Sequence, residues 1–146
     1  MRIRNKIAAF AAGAVLTGGT ILAGASTASA EDQGGNGNPY YDCANGYTVQ
    51  SATIYNSYGT AVGTVELRWS WTCGGNWARV TVANGSSQNL TAVISPLPSN
   101  PNYAQWHASA YDTANQNWSP YVQVPSATIM CAYGAIGSYH AQTCSN

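Results

Sequence analysis

Glu66, Arg68 and Arg79 stand close together in the stretch GTVELRWSWTCGGNWARV, residues 63–80. In an extended strand alternate side chains share a face. Val65, Leu67 and Trp69 then face a core, while Glu66 and Arg68 face the other way. On the following strand Trp77, Arg79 and Thr81 share a face. If the two strands pair, either arginine can come opposite Glu66. Two chemistries are open to such a group. A cross-strand ion pair would fix the register, with Trp77 covering the Arg79 stem. Alternatively an arginine grips the anionic group of a ligand.

Aromatic rings form the second candidate. Five Trp and ten Tyr stand against a single Phe, a balance that favours rings with a polar end, suited to half-exposed positions and binding faces. Alternation over residues 102–111 predicts a strand with Ala104, Trp106, Ala108 and Ala110 on one face. Tyr103, Gln105, His107, Ser109 and Tyr111 fall on the other. That second set resembles a carbohydrate platform, in which rings stack on sugar faces and polar side chains bind hydroxyls. Trp71, Trp77, Tyr103, His107 and Tyr111 are therefore candidate ligand-binding residues. The plainer expectation is that Tyr and Asn keep an exported sheet soluble without charge.

Catalysis finds less support. There is no G-x-S-x-G turn to present a serine. Of five acidic residues, Glu31 and Asp32 fall in a polar lead-in, leaving three to serve as the paired carboxylates of a glycosidase or to orient His107 or His140. No catalytic residue and no cofactor is assigned. The domain is expected to be a non-catalytic extracellular interaction domain; a structural or accessory extracellular protein without a specific ligand is the alternative, and a small hydrolase, or an inhibitor of one, the lesser one.

The chain also carries an export pattern. Arg2, Arg4 and Lys6 precede an apolar, small-residue run from Ile7 to Gly24, and Ala28-Ser29-Ala30 matches a signal-peptidase site. Residues 1–30 are expected to be a signal peptide cleaved after Ala30, with 31–38 a flexible lead-in and 39–146 a secreted β domain. Cleavage would leave 146 − 30 = 116 residues, with Arg68 and Arg79 against five acids: a net charge of 2 − 5 = −3, and no lysine. Without clustered positive charge, nucleic acid is excluded as a partner, and no membrane association is expected after cleavage. A glycan or an extracellular protein is the expected partner, and the domain is expected to be a monomer.

Cys43, Cys73, Cys131 and Cys144 make an even count in an exported chain, which favours two disulfides. The expected pairing is Cys43–Cys73 and Cys131–Cys144, each closing a moderate loop within one half of the chain, for about 3 kcal/mol apiece. No C-x-x-C spacing supports a metal site, and none is assigned.

From Pro39 onward, runs rich in Thr, Val, Tyr, Trp and Ile alternate with Gly, Asn, Ser and Pro. No helical period is sustained. The expected fold is all-β: one small antiparallel barrel or sandwich of seven or eight short, disulfide-bonded strands. The expected strands cover 47–55, 60–70, 77–83, 87–95, 102–111, 121–124, 128–133 and 139–143. Gly63 is read as a bulge, and Asn84-Gly85 as a type I′ hairpin turn joining 77–83 to 87–95.

The block Gly63, Leu67, Arg68, Trp69, Ser70, Cys73, Trp77, Ala78 and Arg79 resembles the core pattern of the YjfA-like family of small secreted bacterial proteins, G-x-x-x-L-R-aromatic-S, then Cys, then W-A-R. Cys43 also fits an upstream cysteine of that pattern, and 121–124 and 132–136 resemble its closing strands more loosely. The resemblance covers most of residues 40–137. Related domains occur as outward-facing appendages of membrane-bound regulators, which implies sensing or binding. The family carries no accepted catalytic residues, so the resemblance transfers none. Cys144 and both histidines lie outside the pattern.

Overall fold

The structure is a computed structural model that describes residues 32–146. The expected signal peptide and its cleavage site lie outside the described residues.

Short β-branched and aromatic runs build ten strands, all paired antiparallel: β1 Gln33–Gly34, β2 Tyr47–Tyr55, β3 Ala61–Ser70, β4 Gly75–Val82, β5 Gln88–Pro96, β6 Ala108–Ala114, β7 Gln116–Trp118, β8 Val122–Gln123, β9 Met130–Ile136 and β10 Tyr139–Cys144. One four-residue helix, α1, spans Pro39–Asp42. Sheet I runs β1-β6-β5-β9-β10. Sheet II runs β2-β3-β4-β7, with β8 also paired to β4. Strands β10 and β2 come together at one side without a hydrogen-bonded ladder. The domain is thus a sandwich and not a closed barrel.

Period-2 alternation places the core between the sheets. Sheet II supplies Ile54, Val65, Leu67, Trp69, Ala78, Val80 and Val82; sheet I supplies Leu90, Ala92, Ile94, Ala108, Met130, Ala132 and Ile136. The outward positions of β3 and β4 carry Glu66, Arg68, Trp77 and Arg79, as the alternation predicts. Both expected disulfides form, and no cysteine is free among the described residues.

Glycine makes one close approach possible. A Cβ on Gly63 would stand 2.3 Å from the Thr81 carbonyl oxygen and 2.4 Å from Ile136 Cδ1. The bulge expected at Gly63 falls one residue earlier, because Ile54 pairs with Gly63 while Tyr55 pairs with Ala61, skipping Val62.

Three expectations need correction. Asn84-Gly85 does turn the chain, with the Gly85 N–H donating to the Val82 carbonyl at 3.2 Å and Gly85 at φ 70°. However, only Gly85 of the pair has positive φ, and the turn carries the chain from sheet II to sheet I. Strand β5 is not the partner of β4; it pairs with β6 and β9.

The lead-in is built into the fold from Gln33 onward. Gln33 pairs with Ser109 and Gly34 with Ala108, the Asn36 N–H donates to the Tyr121 carbonyl at 2.8 Å, and Gly37 forms a bridge with Tyr121. Its glycines, flexible in isolation, supply three positive-φ positions, Gly34, Gly35 and Gly37.

The strand expected over 102–111 begins only at Ala108. Before it the chain folds into successive turns: the Asn100 N–H donates to Leu97, Tyr103 to Asn100 and Trp106 to Asn102, and the Asn100 side chain accepts from the Asn102 N–H at 2.9 Å. Asparagine's local hydrogen bonding here outcompetes extension.

Candidate functional site

The outer face of sheet II holds the ion network. Register places Glu66 opposite Arg79 and Arg68 opposite Trp77. Arg79 grips the carboxylate with two donors, Nε to Oε2 at 2.6 Å and Nη2 to Oε1 at 3.0 Å. Thr48 Oγ1 donates to Oε1 at 2.6 Å, and Arg68 Nη1 stands 3.6 Å from the same oxygen. Burial alone would raise the Glu66 pKa. The hydrogen bonds from Arg79 and Thr48 and the two guanidinium charges outweigh it, and the carboxyl sits below its ordinary value.

Arg68 is committed elsewhere. Its Nη1 donates to Thr48 Oγ1 at 2.6 Å and its Nη2 to the Gly46 carbonyl at 2.7 Å, clamping the start of β2 against β3. Its guanidinium carbon lies 5.9 Å from the centre of the Trp77 ring. Trp77 therefore lies under the guanidinium of Arg68, its cross-strand neighbour. Trp77 is buried with Tyr121 and the Cys43–Cys73 bridge. Gly46 crosses its ring so closely that a Cβ would stand 2.4 Å from Cη2.

Beside this network opens a cleft of about 300 Å³ lined by Pro39, Tyr40, Arg68, Trp77, Arg79, Gln116 and Trp118. The Asn38 side chain ties two of the lining residues together. Its Oδ1 accepts from the Tyr40 N–H at 2.9 Å, capping α1, and from Trp118 Nε1 at 3.1 Å. The Tyr40 and Trp118 rings stack with centres 6.1 Å apart and planes at 16°. Sequence reasoning missed Asn38, Tyr40 and Trp118. The Pro39 after Asn38 was the available signal, since Asn followed by Pro at the first helical position marks a helix start.

Trp71 stands in the β3–β4 turn, 71 % exposed. Its ring meets the buried Trp69 edge to face, with centres 5.2 Å apart and planes at 81°. Together with Tyr47, Val49, Asn76, Ser126, Thr128 and Ser145 these two indoles line a recess of about 200 Å³ that contains no charged side chain. The Trp69 indole N–H has no hydrogen-bond partner among the described residues. Tyr47, itself 46 % exposed, is a further aromatic ring of this recess; of its lining, the sequence singled out Trp69 and Trp71 alone.

The row expected over residues 102–111 does not exist, because the strand there begins only at Ala108. Tyr103 and His107 still meet, ring centres 5.9 Å apart at 49°, but they lie in and after the turns that precede β6. Ser109 is buried. Tyr111 lines a different recess, with Asn89, Leu90, Thr91, Asp112 and Thr113. His140 packs against Tyr133 at 5.6 Å, and among the described residues neither histidine is ion-paired to a carboxylate. A recess of about 530 Å³ opens between the sheets near the β4–β5 and β9–β10 turns and includes none of the expected site residues. Among the described residues no three His, Cys, Asp or Glu side chains group as metal ligands, and no helix is long and apolar enough to cross a membrane.

No family model and no solved structure matches the chain. A curated protein does: over 48 residues the chain is 44 % identical to the uncharacterized protein YjfA of Bacillus subtilis, a match covering 32 % of this chain and 31 % of that protein. The chain thus matches about a third of its curated relative's length, a partial similarity consistent with the YjfA-like resemblance.

Proposed function

We propose that this is a secreted, non-catalytic interaction domain that binds a neutral glycan at the Trp71 recess. The observation that carries the reading is the exposure of Trp71 on a buried neighbouring indole, beside an uncharged recess edged with hydroxyls. An exposed indole offers a flat apolar face for the C–H face of a sugar, and Asn76, Ser126, Thr128 and Ser145 supply polar groups around it. Packing against Trp69 restricts the ring before binding, which lowers the ordering cost of capture. The two disulfides suit an oxidising, extracellular setting.

The test is retention of the purified protein on insoluble cell-wall polysaccharides, compared with Trp71→Ala. The expected result is retention that the substitution abolishes while thermal stability stays unchanged. No retention on any glycan, or equal retention of the variant, overturns the reading. Capture of a secreted protein in place of a glycan would make the recess a protein contact instead. Mass analysis of secreted material is expected to start at Glu31, and an intact Met1 would overturn the export reading.

A further inference from the structure

We propose that the cleft between α1 and the outer face of sheet II is a second ligand site, one that takes a single carboxylate carried on a saccharide ring. This site is independent of the Trp71 recess, so either proposal can fail without the other.

The described residues contain two cationic side chains of the Lys/Arg type, and both line this cleft. Only one carboxylate, Glu66, is paired with them. The group of Glu66, Arg68 and Arg79 therefore keeps a net charge of 2 − 1 = +1. Burial and the nearby Arg79 charge both lower the Arg68 pKa, and Glu66 only partly offsets them. A bound monoanion would remove that repulsion.

The free donors decide what kind of anion fits. Arg68 spends Nη1 on Thr48 and Nη2 on the Gly46 carbonyl, and its Nε is buried. Arg79 spends Nε and Nη2 on Glu66, while its Nη1 makes no hydrogen bond among the described residues and its side chain is 30 % exposed. Each guanidinium Nη carries two hydrogens, so both on Arg79 Nη1 and the second on its Nη2 remain, and that edge can hold one carboxylate by two parallel bonds. The net charge of +1 on the group matches a monoanion and not a phosphate dianion.

The remaining walls select the body that carries the carboxylate. The near-parallel Tyr40 and Trp118 rings give a flat apolar surface. Gln116, its Nε2 held by Thr81 Oγ1 at 2.9 Å, leaves its carbonyl oxygen to accept from a hydroxyl. A ring face, one hydroxyl acceptor and one cation describe an acidic sugar. The volume of about 300 Å³ admits a single such residue.

The experiment titrates the purified protein with a glucuronic acid glycoside, its methyl ester, the matching glucoside and an acetylated dipeptide with a free carboxylate. The readout is the Trp118 indole N–H resonance, assigned by its loss in Trp118→Ala. A saturable shift with the acid, at least about tenfold weaker binding of the ester and of the glucoside, and weakening by salt are expected. Arg79→Gln is expected to remove the preference for the acid over the ester. Because that change also disturbs Glu66, Tyr40→Ala provides a second variant at an exposed position, expected to weaken the acid and ester alike. Trp71→Ala is expected to leave the titration unchanged. Equal affinity for acid and ester, no saturable shift, tighter binding of the dipeptide than of the sugar acid, or sensitivity to Trp71→Ala in place of Tyr40→Ala would each overturn the proposal.

Discussion

Arg79 faces Glu66 directly across β3 and β4 and holds both carboxylate oxygens, at 2.6 and 3.0 Å. Glu66 is thus the single negative centre shared by two half-buried guanidiniums and the Thr48 hydroxyl. Glu66→Ala would leave the two cations facing each other. It is expected to cost about 1.5–3 kcal/mol, the range for hydrogen bonds to charged groups. Urea unfolding is expected to show a lower midpoint with an unchanged slope.

The same carboxylate makes stability depend on acid. Its pKa in the folded protein lies below the ordinary value, so its contribution is fully present above the unfolded pKa of about 4.3. It is lost as pH falls through the lower folded value. Urea midpoints measured from pH 6 downward are expected to fall more steeply below about 4.3 in the native protein than in Glu66→Gln.

Gly63 is expected to resist replacement for reasons of space. In Gly63→Ala the new methyl meets the Thr81 carbonyl and Ile136 together, and backbone cannot rotate away as a side chain can. Overpacking of about 1–3 kcal/mol is expected, read as a lowered melting temperature. In Gly134→Ala the new methyl would stand 2.6 Å from Val80 Cγ2 and 2.7 Å from Val65 Cβ, an atom that the backbone fixes, and a similar cost of about 1–3 kcal/mol is expected.

The two bridges are expected to differ in weight. Cys43–Cys73 closes a sequence separation of 30 and Cys131–Cys144 one of 13. Removing either as a double Ala variant is expected to cost about 2–5 kcal/mol, with the longer loop the costlier by roughly 0.7 kcal/mol in the chain-entropy treatment. Equal midpoints for the two variants would mean that local geometry, not loop length, sets their contributions.

Strands β2, β3 and β4 were readable because alternation alone separates Val65, Leu67 and Trp69 from Glu66 and Arg68, and one buried face forbids slippage. The disulfide pairs were readable from loop length. Asn84-Gly85 misled because a local turn signal does not say whether the next strand returns beside its predecessor or crosses to the opposite sheet. Tyr103 to His107 misled because alternating ring and small residues also fit a series of asparagine-fixed turns. Tyr40 and Trp118 lie 78 positions apart, and nothing local announces that Asn38 joins them. Long-range register assembles that cleft, so single-strand periodicity could not reveal it.

Each sulfur bridge belongs to one sheet. Cys131–Cys144 joins the adjacent strands β9 and β10 of sheet I, and Cys43–Cys73 ties the end of α1 to the β3–β4 turn of sheet II. Shear between the sheets is therefore borne by interdigitated side chains and by the backbone where it changes sheets, between β1 and β2, β4 and β5, β6 and β7, and β8 and β9. Reducing agents would slacken the layers from within and leave that seam as it was, whereas detergent or pressure would attack the seam and leave both bridges closed.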